Sequence, residues 1–327
     1  MNCFDAAITL RRQLPLAANP WFRYGLIAGW LNRADALTRL GSADNLNEAL
    51  GCFDEALAQL RELPMNESHL FVKRLAIAWL NRGLTFMKRG DGGSLRQSVD
   101  CFAEAVAAAK NYLGLCPEEA RPLLAAAWLN RGIVLLRLGP AQAEPARTAA
   151  RQALSVISAV ERDDEATAEV GFKARHVLCQ ALAILITGSD SVPARLELLA
   201  EATDAVDEGM ALGRHWETRG QRRFRPEVAG LFHFGCRAFQ AHQPHFLVEF
   251  LLENLDPAES EGAFGDSVLM QATALNAIWH SLQDLQRDGF KAMNTPDFER
   301  LLARLGDLRI AGERLSVLRA RTGSKLR

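Results

Sequence analysis

The chain has 327 residues, 49% of them hydrophobic and 7% aromatic, which is enough to bury a core as one long or two ordinary domains and excludes a disordered chain. Its 38 basic and 39 acidic residues leave a formal charge of −1, so no bulk field draws it toward nucleic acid or an anionic membrane. Any electrostatic preference must be local.

The opening stretch MNCFDAAITLRRQLP carries an acid early and two arginines after the apolar residues, the reverse of a secretory leader. Longer apolar runs such as RPLLAAAWLNRGIVLLRLG hold an Asn and an Arg in mid-segment and fall short of the roughly 20 apolar residues that span a bilayer. Cys3, Cys52, Cys101, Cys116, Cys179 and Cys236 are scattered, with no paired spacing for zinc or a redox couple. The expectation is a cytoplasmic protein with free thiols and no membrane span.

Self-comparison shows a fixed period. AGWLNRADALTRLG, IAWLNRGLTFMKRG and AAWLNRGIVLLRLG place Trp30, Trp79 and Trp128 at steps of 49 residues, and HVLCQALAILITG follows as a degenerate fourth copy with Val177 in the Trp position. Gly41, Gly90, Gly139 and Gly188 end the copies, where left-handed helix caps are expected. A second helix follows in each of the first three: EALGCFDEALAQL, QSVDCFAEAVAAA and ARTAARQALSVI. Ala49, Phe53 and Ala56, then Ser98, Phe102 and Ala105, then Ala146, Ala150 and Ala153 stand at i, i+4, i+7, one stripe of a helix.

In the C-terminal third, residues 225–257 read as a fifth helix pair with Gly235 in the glycine position and Pro244 opening the second helix. Helices at about 266–288 and 296–319 would cap the array. The polar, glycine-containing stretch ALGRHWETRGQRRFRP suggests a boundary, giving a repeat array over 1–213 and a helical region over 214–327.

Residues 20–210 resemble the tetratricopeptide repeat. Its pattern of Trp, then Leu-Gly, then Ala-x3-Phe in the second helix is met by Trp79, Gly83, Phe86, Ser98 and Phe102, and by Trp30, Ala34, Leu37, Ala49 and Phe53. Arg33, Arg82 and Arg131 stand in the usual Leu position, and the period of 49 exceeds the family's 34, which predicts longer helices. The resemblance implies an all-α fold, a right-handed superhelix of antiparallel helix pairs. It also implies a concave groove, lined by the first helix of each pair, that holds extended peptides or chain termini.

In that setting Asn32, Asn81 and Asn130 are similar to the family's groove asparagines. An amide that both donates and accepts can pair with a peptide backbone whatever its side chains, and helices roughly 8–10 Å apart match about three residues of extended chain. The alternative is that these amides satisfy neighbouring helix groups. Seven residues on, Arg39, Lys88 and Arg137 would add a cationic strip favouring an acidic protein or peptide; alternatively each complements a helix dipole beside its glycine cap.

Arg33, Arg82 and Arg131 are secondary candidates for capturing an anion, against a structural use in which Glu55 and Glu104 pair with Arg33 and Arg82. Gln152 replaces the acid in the third copy, and Cys179 and Gln180 end the ladder in the fourth. The tryptophans, Cys52 and Cys101 read as core.

Two rival constellations lie further on. The bases Arg214, His215, Arg219, Arg222, Arg223 and Arg225, with Trp216 and Phe224 among them, could hold single-stranded nucleic acid or an acidic partner. His233, Cys236, His242 and His245 could build a metal-dependent enzyme, although zinc ligation ordinarily asks for tighter loops. No phosphate loop, HExxH or GxSxG motif is present, and the expectation is a scaffold without catalytic residues, cofactor or metal.

Overall fold

The structure is a computed structural model that describes residues 2–159, 164–242 and 244–255, with parts of 260–277 and residues 300 and 301. The described residues are predominantly helical and contain no strand. In chain order the helices are α1 (Asn2–Arg12), α2 (Pro20–Leu40), α3 (Ala43–Arg61), α4 (His69–Arg89), α5 (Gly92–Leu113), α6 (Pro117–Leu138), α7 (Ala143–Ser158), α8 (Glu165–Gly188), α9 (Val192–Thr218), α10 (Arg225–His242) and α11 (Pro244–Leu255). The chain divides into two compact units, 1–177 and 178–327. This division falls inside α8. The expected boundary stretch 211–226 instead forms the end of α9, a turn and the start of α10, because Trp216 and Phe224 are buried and anchor it.

In the first unit each helix from α1 to α7 packs on its neighbours in sequence, and the first helices of successive repeats, α2, α4 and α6, also touch one another. Local chemistry sets the ends. Asn19, Ser42, Ser68 and Asp91 each accept a backbone N–H of the helix they precede, with side-chain oxygens 2.9, 3.2, 3.2 and 2.9 Å from the nitrogens of Trp21, Asn45, Leu70 and Ser94. The first helices begin about three turns upstream of their tryptophans, and the first two second helices are comparably long, 19 and 22 residues, so the long period goes into longer helices.

Gly41 and Gly90 close α2 and α4 in the left-handed conformation at φ 76° and 78°, as expected. Gly139 departs from that expectation with φ 116° and ψ 177°, an extended exit imposed by Pro140, whose ring clashes with a helical residue before it. Gly188 has no positive φ.

The predicted stripes of the second helices are the core: Ala49, Phe53, Ala56, Ser98, Phe102, Ala146, Ala150 and Ala153 are all 0% exposed. Full burial of each phenylalanine contributes about 2–3 kcal/mol. Helix pairing depends on small partners. A Cβ at Gly83 would lie 2.7 Å from Phe102 Cε1, and the buried Ser98 hydroxyl donates to Gly83 O at 2.8 Å.

One helix, α8, is long and apolar enough by length and composition to cross a membrane, with a window of mean hydropathy 1.3 that is 44% buried. This differs from the expectation that every apolar run falls short. Its charges, Glu165, Glu169, Lys173 and Arg175, all sit in its first half and leave the second half uncharged, and Phe172, Ala174, Ala181 and Leu182 are fully buried.

The second unit holds α9, α10 and α11, with Pro244 opening α11 as read from the sequence. A Cβ at Gly235 would meet Phe250 Cζ at 2.7 Å and Val206 at 2.9 Å, so this glycine lets the three helices approach. The capping helices expected at 266–288 and 296–319 fall largely outside the described residues.

Candidate functional site

The first helices carry three kinds of polar residue at repeated positions, and packing engages two of these kinds at most of their positions. Arg33 bridges three helices: Nε donates to Asp5 on α1 at 2.7 Å, Nη1 to Cys52 Sγ on α3 at 2.9 Å and Nη2 to Glu48 at 2.5 Å. Arg82 repeats the arrangement one repeat on, with Nε 3.1 Å from Asp54 Oδ1 on α3 and Nη1 3.1 Å from Cys101 Sγ on α5. Burial alone would lower the Arg33 pKa; its hydrogen bonds to Glu48, Cys52 and Asp5 outweigh that and hold it above its ordinary value. Burial pushes the Cys52 and Cys101 thiols up, with Arg33 and Arg82 pulling the other way.

The expected partners Glu55 and Glu104 are not used. Glu55 lies 4.0 Å from Arg12, and Glu104 is exposed. The acid that meets Arg82 is Asp54, on the second helix of the preceding repeat. Asp5 was missed although its signal is in the sequence: Cys3-Phe4-Asp5 repeats as Cys52-Phe53-Asp54 at the same 49-residue step, so α1 matches the second helix of a repeat.

The bases at the helix ends are also engaged. Lys88 Nζ donates to Thr38 O at 2.7 Å and Arg39 O at 3.3 Å, and Arg137 Nη1 reaches Met87 O at 3.5 Å. Each of these two bases therefore lies on the C-terminal carbonyls of the preceding first helix, where the dipole favours a cation. Arg39 instead pairs with Asp35 at 2.9 Å, its side chain 80% exposed. Dipole complementation thus holds for Lys88 and Arg137, across repeats and not within one helix.

The asparagines are less committed. Asn32 is exposed and Asn81 half-buried, and neither side-chain amide makes a hydrogen bond among the described residues. Asn130, half-buried, donates from Nδ2 to Ala126 O at 2.8 Å, which leaves Oδ1 to accept. The three stand at equivalent places on α2, α4 and α6, helices in contact with one another.

No protein-family model matches the chain, and no curated protein is significantly similar to it. The repeat reading stands on the chain's own periodicity.

In the second unit the basic segment is largely tied down. Arg214 donates to Asn254 at 2.5 Å and Glu253 at 2.7 Å, and Arg225 binds Glu217 through Nε at 3.0 Å and through Nη2. Trp216 and Phe224 are 5% and 2% exposed and pack edge to face, so neither ring offers a base a surface to stack on. His233 is exposed while Cys236 is buried, its thiol pushed far up by that burial, so the two side chains sit in different surroundings. The side chains of His242 and His245 lie outside the described residues, among which no group of three metal-ligating side chains occurs.

Proposed function

We propose that the chain is a non-catalytic scaffold, a tetratricopeptide-like solenoid of antiparallel helix pairs in a right-handed superhelix, whose first helices hold an extended segment of a partner protein. The observation that carries the reading is the asparagine at one position of α2, α4 and α6 whose polar groups the fold leaves over, while the tryptophans and the arginines Arg33 and Arg82 beside them are taken up by packing. An amide that both donates and accepts matches a peptide backbone, which offers both donor and acceptor at every residue.

The strip of bases supports this less than the sequence suggests. Lys88 and Arg137 are directed at helix carbonyls, so a preference for acidic partners rests on Arg39 alone. Free thiols at all six cysteines suit a reducing cytoplasm. The triple variant Asn32→Ala, Asn81→Ala, Asn130→Ala should unfold at a midpoint close to wild type, each change being worth within about 0.5 kcal/mol, yet lose partners recovered by wild type from a host lysate. Identical partners for the two proteins would sink the groove assignment.

A further inference from the structure

The third repeat contains an arginine whose partners in the earlier repeats have been replaced by alanine. Arg33 and Arg82 each take a carboxylate from the preceding second helix, Asp5 or Asp54, and a sulfur from their own, Cys52 or Cys101. The residues at the same steps from Arg131 are Ala103 and Ala150. Arg131 nonetheless lies against its tryptophan as Arg82 does: its Cζ is 5.4 Å from the Trp128 ring centre, and Arg82 Cζ is 5.7 Å from that of Trp79.

The consequence is a set of donors without an acceptor. Among the described residues Arg131 Nε is buried with no hydrogen-bond partner, and so is Trp128 Nε1 three residues earlier, a neighbour on the same helix face. A second cation, Lys110 Nζ, stands 5.5 Å from the same Trp128 ring and enters no ion pair among the described residues. Glu104, next to Ala103, is exposed and pairs with neither. Burying a charged donor unpaired is costly, and an acceptor brought to it recovers that cost.

The place is also reachable. Asp5 and Asp54 remain 50% and 61% exposed while bound to their arginines, so a carboxylate in this position sits at the surface, and half-buried Ala103 places only a methyl group there. We propose that Arg131, with Lys110 at the same Trp128 ring, is a carboxylate-binding site that takes a chain terminus or an acidic side chain of a partner in the position Asp5 and Asp54 occupy in the earlier repeats. It points about 100° away from Asn130 and does not rest on the asparagine ladder.

The test follows the Arg131 Nε–Hε resonance of the full chain, assigned with Arg131→Lys, during titration with N-acetylglycine, which offers a chain-terminal carboxylate, and with N-acetylaspartate amidated at its α-carboxyl, which offers a side-chain one. Chloride at matched ionic strength is the reference. A saturable shift with one or both is expected, the tighter arm naming the source. Binding should weaken at least tenfold in Ala103→Asp, where the introduced carboxylate fills the position from within, and severalfold in Lys110→Ala, while the triple asparagine variant should titrate like wild type. No shift, a wild-type response in both Ala103→Asp and Lys110→Ala, or a wild-type resonance already at its Ala103→Asp position before any ligand, would each overturn the proposal.

Discussion

Replacing Gly41 by alanine should destabilise the first unit more than replacing Gly90, although both close a first helix at nearly the same φ, 76° and 78°. The left-handed conformation costs an alanine about 1–2 kcal/mol at either place. The surroundings differ. An added Cβ at Gly41 would lie 2.9 Å from Lys88 Nζ and 3.0 Å from Cε, whereas at Gly90 nothing comes nearer than 3.8 Å. The flexible lysine can swing away, so the added cost is its lost hydrogen bonds to Thr38 O and Arg39 O and not steric strain. A cation on an exposed helix C-terminus is worth about 0.3–1 kcal/mol, and that is the expected excess of Gly41→Ala over Gly90→Ala. Urea unfolding followed by tryptophan fluorescence measures it, since Trp30 and Trp79 lie in the affected helices. In a Lys88→Met background the excess should vanish, and high salt should reduce it. Equal costs for the two glycines, or an excess that survives Lys88→Met, would refute the assignment of Lys88 as a cap passed from one repeat to the last.

In the second unit, desolvation of its carboxyl by the surrounding protein and then the nearness of Glu253 and Asp204 push Asp207 up to about 6, with Arg214 opposing, although the residue as a whole is exposed. Its folded pKa therefore exceeds the ordinary value of about 3.9, so the stability it contributes is complete below pH about 4 and lost as pH rises through about 6. A carboxyl carbon titration of Asp207 should show that raised midpoint, and Asp207→Asn should flatten the slope; an ordinary midpoint contradicts the reading. Thiol labelling of the native protein should modify exposed Cys3 first, while buried Cys52, Cys101 and Cys236, each with its thiol pushed up by burial, react only as fast as the chain opens. Labelling of Cys52 at the rate of Cys3 would show that the α2–α3 contact is not closed.

Helix positions, caps and core stripes were legible because their causes are local. Ser42 and Asp91 reach donors three residues away, and Ala49, Phe53 and Ala56 share a face through helical geometry alone. Much of the candidate site was legible too, since a 49-residue step brings Asn32, Asn81 and Asn130 to matching places on neighbouring helices. Gly139 is not the left-handed cap its position suggests, because the clash from Pro140 competes with the capping preference and wins. The boundary differs because composition marks residues 211–226 as polar while two rings inside the segment are core.

By itself the sequence determined that the chain repeats, that it is helical, and which face of each second helix is buried, because these follow from spacing along one helix. Only the tertiary structure decided where the polar side chains are spent. Arg33 meets Asp5 and not Glu55, Lys88 meets the end of the preceding first helix, and Arg131 meets no acid among the described residues. Those outcomes depend on which faces of different helices come together, and a turn of one residue, about 100°, exchanges one partner for another.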